Sequence, residues 1–224
     1  MRRCVVEGNI IYKNRLNNKA AIKDWISEGK IKISFDEGMI LENGLSEELG
    51  DYAHWTFWLP DKFPENIKIE WKFRPLREPG LCMLFFAANG INDESIFDPK
   101  LKKRTGYYPQ YHHGDINCYH LSYFRHKHTE ERAFRTCNLR KSYGFHMVAQ
   151  GADPLPPTED AVGFYDIRVE KRQNNISFYI NELLLLSWMD IGENGPALKG
   201  GHIGFRQMAP MKAEYKDLVI TDLS

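Results

Sequence analysis

The stretch Ile67-Lys68-Ile69-Glu70-Trp71-Lys72-Phe73-Arg74 alternates apolar and charged side chains at every position. Successive side chains of a β-strand point to opposite faces of its sheet, so this period of two predicts a strand with one face in a core and the other in water. The same alternation recurs in three further segments, Ile31–Phe35, Tyr165–Val169 and Ile176–Ile180. The turn residue pair Asn174-Asn175 predicts that the last two form a hairpin.

The remaining segments favour strands as well. Gly200–Arg206 and Tyr215–Ile220 are predicted strands, and the apolar run Leu183–Trp188 is predicted to be a strand buried on both sides or lying under a loop. Helical spacing is clearest in Asn18–Ser27, and Asp93–Leu101 can form a short turn. Many short strands with glycine and proline between them, and little helix, predict an all-β sandwich or jelly roll.

Length and composition fit one domain. The chain has 224 residues, is 42% hydrophobic and carries a formal net charge of zero. All-β domains of this size are common, and strands are predicted on both sides of the proline-rich loop Gly151–Asp160. We therefore expect a single jelly-roll domain over residues 1–224.

Two patterns bear on the cellular compartment. No apolar run approaches the roughly 18 residues of a membrane span, and Met1–Glu7 reaches a glutamate before a secretory signal can form, so we expect no membrane partner. The four cysteines lie apart without a Cys-x-x-Cys pair, at Cys4, Cys82, Cys118 and Cys137. Such spacing is typical of reduced thiols, and we expect a cytoplasmic protein.

Charge is concentrated in residues 100–146, the cationic segment. It holds ten of the chain's thirty Lys and Arg and three of its thirty Asp and Glu, an excess of +7, together with six of the eight histidines. Six of the eleven tyrosines also lie there. A local charge asymmetry of this kind indicates a site for an anionic ligand, with a solvated basic surface as the alternative.

Two predicted strands of the cationic segment, Tyr119–Arg125 and Ala133–Leu139, carry polar side chains suited to a ligand groove. Strand alternation predicts that His120 shares one face with Ser122, whereas Tyr123 shares the other face with Arg125. Which face lines the groove stays open. Because His120 and Tyr123 cannot both face it, part of the segment is expected to be scaffold.

Five strings of this chain carry a family resemblance: Pro79–Ala88, Gly114–Asn117, His120–Arg125, Glu131–Ser142 and Gly204–Ala213. They closely resemble the YesU-like family. The resemblance spans nearly the whole chain and implies a galectin-like or concanavalin A-like single-domain jelly roll. It also implies a role beside the bacterial breakdown of uronate-containing polysaccharides of the pectin or rhamnogalacturonan type. The family offers no agreed mechanism, so the function is argued from the residues.

An acidic oligosaccharide suits the cationic segment, because arginine pairs carboxylates bidentately and tyrosine rings can cover sugar faces. The predicted substrate-binding residues are Arg74, Arg104, Tyr108, Tyr111, His112, Asp115, Asn117, Arg125, Asn138, Arg140 and Arg206. Any one of the arginines can instead tie strands together through a carboxylate such as Glu70.

Cleavage of a uronate chain by β-elimination requires a group that neutralises the carboxylate, a base and an acid. Arg125 or Arg135, with Asn138, can neutralise the carboxylate, and His120 and Tyr123 can exchange the proton. The predicted catalytic residues are therefore His120, Tyr123 and Arg135.

Other functions stay open beside elimination. Glycoside hydrolysis needs two carboxyl groups, and since no two acidic residues lie two positions apart, the pair must come from different strands, such as Glu70 with Asp115. A metal site can be drawn from His126 and His128, or from His112 and His113 with Asp115. A carbohydrate-binding protein without catalysis needs the same groove. Nucleic-acid binding is disfavoured by the neutral overall charge.

We expect no metal, because the candidate histidines lie in a stretch rich in lysine and glutamate, where solvated side chains are favoured. We expect no nucleotide cofactor either, since the chain contains no phosphate-binding glycine motif. The sequence leaves three questions undecided: whether the protein is an enzyme, which sugar it recognises, and its oligomeric state.

Overall fold

The computed structural model describes residues 8–126 and 135–224. Within these ranges fifteen strands form two antiparallel sheets. The strands are β1 (Asn9–Asn14), β2 (Ile26–Glu28), β3 (Ile31–Phe35), β4 (Met39–Asn43), β5 (Trp55–Trp58), β6 (Ile67–Arg77), β7 (Gly80–Gly90), β8 (Ile116–His126), β9 (Thr136–Lys141), β10 (His146–Ala152), β11 (Tyr165–Arg172), β12 (Asn175–Ile180), β13 (Leu183–Met189), β14 (His202–Met208) and β15 (Lys212–Asp222).

The first sheet has the order β13-β12-β11-β6-β15-β4-β3, with β1 paired to β15. The second sheet has the order β10-β9-β8-β7-β14-β5-β2. Helix is limited to two 3-10 segments, Lys19–Ile22 and Glu47–Ala53, and to α1 (Pro109–His112) in the described chain. The predicted all-β sandwich with little helix is confirmed.

Two element predictions are corrected. Only Lys19–Ile22 of the predicted helix Asn18–Ser27 is helical, because the chain turns into β2, which pairs with β5 from Ile26 onward. Leu183–Trp188 is a strand, but it is not buried on both sides. β13 lies at the edge of the first sheet, so Leu183 and Leu184 are 57% and 55% exposed. The predicted hairpin is confirmed as the antiparallel pair β11 and β12.

The core between the sheets follows from strand alternation. The apolar residues of the opening stretch, Ile67, Ile69, Trp71 and Phe73, are all buried there, while the charged residues between them face outward. Trp71 meets Phe205 of the second sheet with ring centroids 5.5 Å apart. This aromatic packing joins the two sheets.

The second sheet is covered on its outer face as well, the face turned away from the first sheet. All eleven residues of β7 are buried, because the segment 91–115 folds back over the sheet. A second apolar cluster fills the space between them, formed by Trp58, Leu81, Met83, Phe85, Ala88, Ile96, Tyr111, Ile116, Cys118 and Met208. The outer face therefore has its own small core, and functional groups are confined to its rim and its ends.

Candidate functional site

Residues of the cationic segment meet on the outer face of the second sheet. His120, Arg140 and Arg206 point outward from β8, β9 and β14, and the segment 91–115 brings Tyr108 and His112 over them. Together with Arg125 and Phe145, these residues form what we call the cationic face. Tyr111 and Asn138, two further predicted residues, lie beside it.

A bulge in β8 decides which side chains reach the cationic face. The pairing of β7 with β8 shifts register between Tyr123 and His126, and Phe124 has a φ of +47°. Tyr123 is fully buried in the core against Phe73, at a centroid distance of 5.2 Å. Arg125 donates to Thr136 Oγ1 at 3.1 Å and, with the Asn138 amide oxygen turned toward it, to Asn138 at 2.7 Å. The prediction that Tyr123 and Arg125 share a face is wrong, because the bulge reverses the alternation.

A chain of three polar groups runs from the partly exposed Tyr108 to the buried His120 and Cys118. The Tyr108 hydroxyl is 3.1 Å from His120 Nδ1, and His120 Nε2 is 3.1 Å from Cys118 Sγ. Burial lowers the pKa of His120 well below its ordinary value, and His112 and Arg206 lower it further. Burial raises the pKa of Tyr108 in spite of the nearby arginines. His120 is thus a neutral imidazole with both ring nitrogens engaged, and Tyr108 keeps its proton.

Arg206 forms the floor of this site. It is fully buried, and its Nη1 donates to Gly106 O at 2.7 Å and to Thr56 Oγ1 at 3.2 Å. Its guanidinium carbon lies 4.9 Å from the ring centroid of Tyr108 and 5.1 Å from that of Tyr111. Burial lowers the pKa of Arg206. Aromatic faces, rather than a directly paired carboxylate, surround the charge.

Arg140 is a partly exposed arginine of the cationic face that has no counter-charge among the described residues. Its guanidinium lies 3.7 Å from the Phe145 ring centroid and donates to Phe145 O at 2.9 Å. Within residues 8–126 and 135–224, no carboxylate lies within ion-pair distance of it. Burial lowers the pKa of Arg140, and Arg125 lowers it further. Two neighbouring arginines thus generate a positive potential at a partly open surface.

His112 lies in the same positive potential. Its ring packs 4.7 Å from Phe145 and 4.9 Å from Tyr108. Burial lowers its pKa to about 4, and His113, Arg206 and Arg140 contribute. The neutral imidazole is therefore a poor base, and an anion bound beside it would favour its protonation.

Three of the predicted binding residues have structural partners instead. Arg104 is buried against Glu28, with Arg104 Nη2 2.7 Å from Glu28 Oε1. Arg74 lies on the first sheet and pairs with Glu214 and Glu37. Asp115 Oδ2 accepts from the Lys102 backbone amide at 2.6 Å and so fixes the segment 91–115. The structure thus gives each of them a structural partner, and their role as direct ligand contacts stays a prediction.

The predicted catalytic residues are not assembled in one site. His120 is 1% exposed, and Tyr123 lies on the opposite side of β8 in the core. His120 pairs with Arg140 across β8 and β9, whereas Arg135 is exposed five residues earlier in the chain. Arg135 precedes β9 and has a φ of +43°, so it lies outside the strand that carries the partner of His120. The elimination trio is therefore not supported by the geometry.

The carboxylate pair for hydrolysis is separated too. Glu70 points outward from the first sheet and pairs with Lys68 at 2.9 Å, whereas Asp115 precedes β8 in the second sheet. Of the metal candidates, His126 is buried 3.0 Å from Glu78 Oε2, and His128 lies outside the described residues. In residues 8–126 and 135–224, no group of three His, Cys, Asp or Glu side chains is placed to hold a metal ion.

The described part of the chain contains no helix with the length and apolar character of a membrane span.

The sequence analysis did not identify Phe145, and it grouped Asn117 with the residues of the cationic segment. Phe145 covers Arg140 from the turn between β9 and β10, and the aromatic pair around Gly144 was its only signal. Asn117 lies in a separate cavity at one end of the sandwich, beside Asn89 and Tyr143. That cavity is formed by three loops that are distant in sequence, so no local sequence pattern predicts it.

Comparison with known proteins places the chain in a family. The family model "Domain of unknown function (DUF1961)" matches residues 9–220. The "Uncharacterized protein YesU" of Bacillus subtilis (strain 168) is 54% identical over 215 residues, which cover 96% of each chain. A crystal structure of a protein of unknown function with a galectin-like fold from Bacillus subtilis has a TM-score of 0.92 and 54% identity, covering 96% of this chain and 97% of that one.

A more distant solved structure shows the same architecture. The carbohydrate-binding module CBM66 from Bacillus subtilis has a TM-score of 0.56 at 13% identity, over 88% of this chain and 95% of that module. At this identity the likeness concerns the fold alone. The chain therefore belongs to the DUF1961 family, and its fold is galectin-like, as the resemblance to the YesU-like family implied.

Proposed function

We propose that this protein binds anionic, uronate-containing oligosaccharides on the cationic face. The observation that carries the proposal is Arg140, a half-buried guanidinium held against Phe145 with no carboxylate partner in the described residues. Removing a charge from water without a counter-charge is costly, and a ligand carboxylate would offset that cost. The partly exposed Tyr108, His112 and Phe145 supply flat surfaces for sugar rings.

The fold supports a carbohydrate as the ligand. A galectin-like sandwich also serves CBM66, which its name describes as a carbohydrate-binding module. The acidic character of the ligand, in contrast, is inferred from this chain's own arginines.

Binding without turnover is better supported than elimination. Elimination needs a base that reaches the proton beside the carboxylate, and both nitrogens of His120 are engaged below the surface. His112 reaches the surface, but a pKa of about 4 makes it a weak base. Incubation with a uronate polymer checks this choice, because new absorbance of an unsaturated product would instead establish elimination.

We expect Arg140→Gln to weaken binding of a galacturonate oligosaccharide by roughly tenfold to a hundredfold, since a charge-assisted hydrogen bond contributes about 1.5–3 kcal/mol. Isothermal calorimetry measures the change, with a neutral oligosaccharide of equal length as the reference ligand. Arg168→Gln is the matched control, because Arg168 lies 4.1 Å over the Tyr179 ring on the first sheet.

Equal affinities of the two variants would contradict the proposal. Tighter binding of an RNA homopolymer than of the galacturonate oligosaccharide would contradict it as well, in favour of a phosphate ligand.

Binding of the acidic oligosaccharide is also expected to be coupled to protonation of the His112 imidazole. A bound carboxylate raises the pKa of His112 from about 4, so the complex holds more protons than the free protein. Affinity is therefore expected to rise as the pH falls from 7 toward 5, where uronate carboxylates are still ionised. His112→Gln should flatten this dependence. Calorimetry in buffers of different ionisation enthalpy measures the proton uptake, and a pH-independent affinity would exclude contact with His112.

A further inference from the structure

A cavity of about 680 Å³ opens at one end of the sandwich, away from the cationic face. Its floor lies where β7 ends and β8 begins, and one wall is the loop 194–199. Tyr143 and His146, from the turn between β9 and β10, form the other wall. Small-molecule sites in proteins usually measure about 300–1,000 Å³, so this cavity has the size of a ligand site.

The loop wall is held in place by buried polar groups. Lys141 Nζ donates to Gly195 O at 2.6 Å and pairs with Asp190 Oδ2 at 2.7 Å. The Leu198 amide donates to the Tyr119 hydroxyl at 3.0 Å. Because these anchors belong to the sandwich itself, the cavity is preformed rather than assembled by its ligand.

Two amide side chains on the floor have unused acceptors. Asn89 and Asn117 pair across β7 and β8, and Asn89 is 8% exposed. Asn89 Nδ2 donates to Gly200 O at 2.6 Å, which turns its oxygen away from that bond. The Oδ1 atoms of both residues are buried without a hydrogen-bond partner in the described chain. Buried acceptors of this kind are rare and mark places where a donor is expected.

The chemistry of the cavity differs from that of the cationic face. Lys141 is neutralised by Asp190, and the remaining ionic side chains of the lining, Lys199 and Asp93, have opposite signs. Amide oxygens accept from hydroxyl groups, and their partial negative charge disfavours a carboxylate. Tyr143 is 55% exposed and offers a ring face.

We infer that this end cavity binds an uncharged sugar ring whose hydroxyl groups donate to Asn89 and Asn117. The site is separate from the cationic face, and its existence does not depend on the acidic ligand proposed there. The turn 142–146 stands between the two sites, with Tyr143 lining the cavity and Phe145 on the cationic face.

Saturation-transfer NMR with methyl glycosides of glucose, galactose, mannose and rhamnose tests the inference, with sodium galacturonate as the anionic probe. At least one uncharged glycoside is expected to bind and to shift the side-chain amide signals of Asn89 and Asn117. Asn117→Leu should weaken that binding about tenfold, the effect of one lost hydrogen bond. Since Asn117 Oδ1 has no partner in the described chain, the melting temperature should not fall.

The second variant is Tyr143→Ala. Because the Tyr143 side chain is exposed, this substitution should leave the fold intact. It should also weaken the glycoside, whereas Tyr52→Ala, which removes a 64% exposed tyrosine outside the cavity, should not. The inference is overturned if no uncharged glycoside binds, or if Asn117→Leu and Tyr143→Ala bind it as the unaltered protein does. The galacturonate signal belongs to the cationic face and should weaken in Arg140→Gln, whereas the signal of the uncharged glycoside should not, so the two proposals can fail separately.

Discussion

Glu28→Ala is expected to lower the free energy of unfolding by about 3–5 kcal/mol, as removal of one partner from a buried ion pair does. Glu28 is 8% exposed at the end of β2 and accepts from three side chains of the outer face. Its carboxylate oxygens lie 2.7 Å from Arg104 Nη2, 2.9 Å from Trp58 Nε1 and 2.8 Å from the Tyr111 hydroxyl. Without Glu28, the guanidinium of Arg104 stays buried and unpaired. Urea denaturation followed by tryptophan fluorescence measures the loss.

Glu70→Ala is the matched control, since Glu70 is a strand glutamate on the outer surface of the first sheet whose carboxylate lies 2.9 Å from Lys68 Nζ. Its effect should be small, because exposed ion pairs stabilise little. The double variant Glu28→Met with Arg104→Met should recover part of the stability, since no unpaired charge remains. If Glu28→Ala were no more harmful than Glu70→Ala, the buried network would not anchor the segment 91–115.

Asp190→Ala is the second variant with a large expected effect, again about 3–5 kcal/mol for a broken buried pair. Asp190 and Lys141 are each 1% exposed, and the Tyr119 hydroxyl donates to Asp190 Oδ2 at 2.6 Å. Loss of the carboxylate leaves the Lys141 ammonium with Gly195 O as its described partner. The loop 194–199 should then loosen, and limited proteolysis should cleave it faster.

Asp166→Ala serves as the control, because the pair of Asp166 with Lys72 is exposed on the first sheet. Changing Lys141 to Met in the Asp190→Ala background should restore part of the stability. Equal melting temperatures for Asp190→Ala and Asp166→Ala would show that the loop is held by other contacts.

The fold could be predicted from the local sequence pattern, whereas the candidate site could be predicted only in part. Alternation in Ile67–Arg74 identified β6 and its buried face, because strand geometry alone sets that period. Arg140 was recognised from charge density, and its position opposite His120 follows from the pairing of β8 and β9. A bulge interrupts the alternation of side chains, so the alternating pattern cannot predict where a bulge occurs. The bulge at Phe124 places Arg125 on the face opposite to the predicted one.

The structural partners of two predicted arginines could not be foreseen, for a different reason. Arg104 and Arg74 resemble binding arginines in the sequence, but their carboxylate partners, Glu28 and Glu214, are 76 and 140 positions away. Such pairing depends on the tertiary arrangement of the strands, which composition does not encode. The end cavity was missed for the same reason, since Asn89, Asn117 and the loop 194–199 meet only after both sheets have formed.

The double covering of the second sheet has a practical consequence for protein engineering. The sandwich core lies on one side of that sheet, and the segment 91–115 rests on the other with its own apolar cluster and its own Glu28 anchor. Tyr108 and His112 therefore belong to this outer layer rather than to the main core. A library that varies His112, and keeps Tyr108 with the anchoring residues Tyr111 and Arg104, can be searched for new ligand preferences without leaving the buried His120 unpaired.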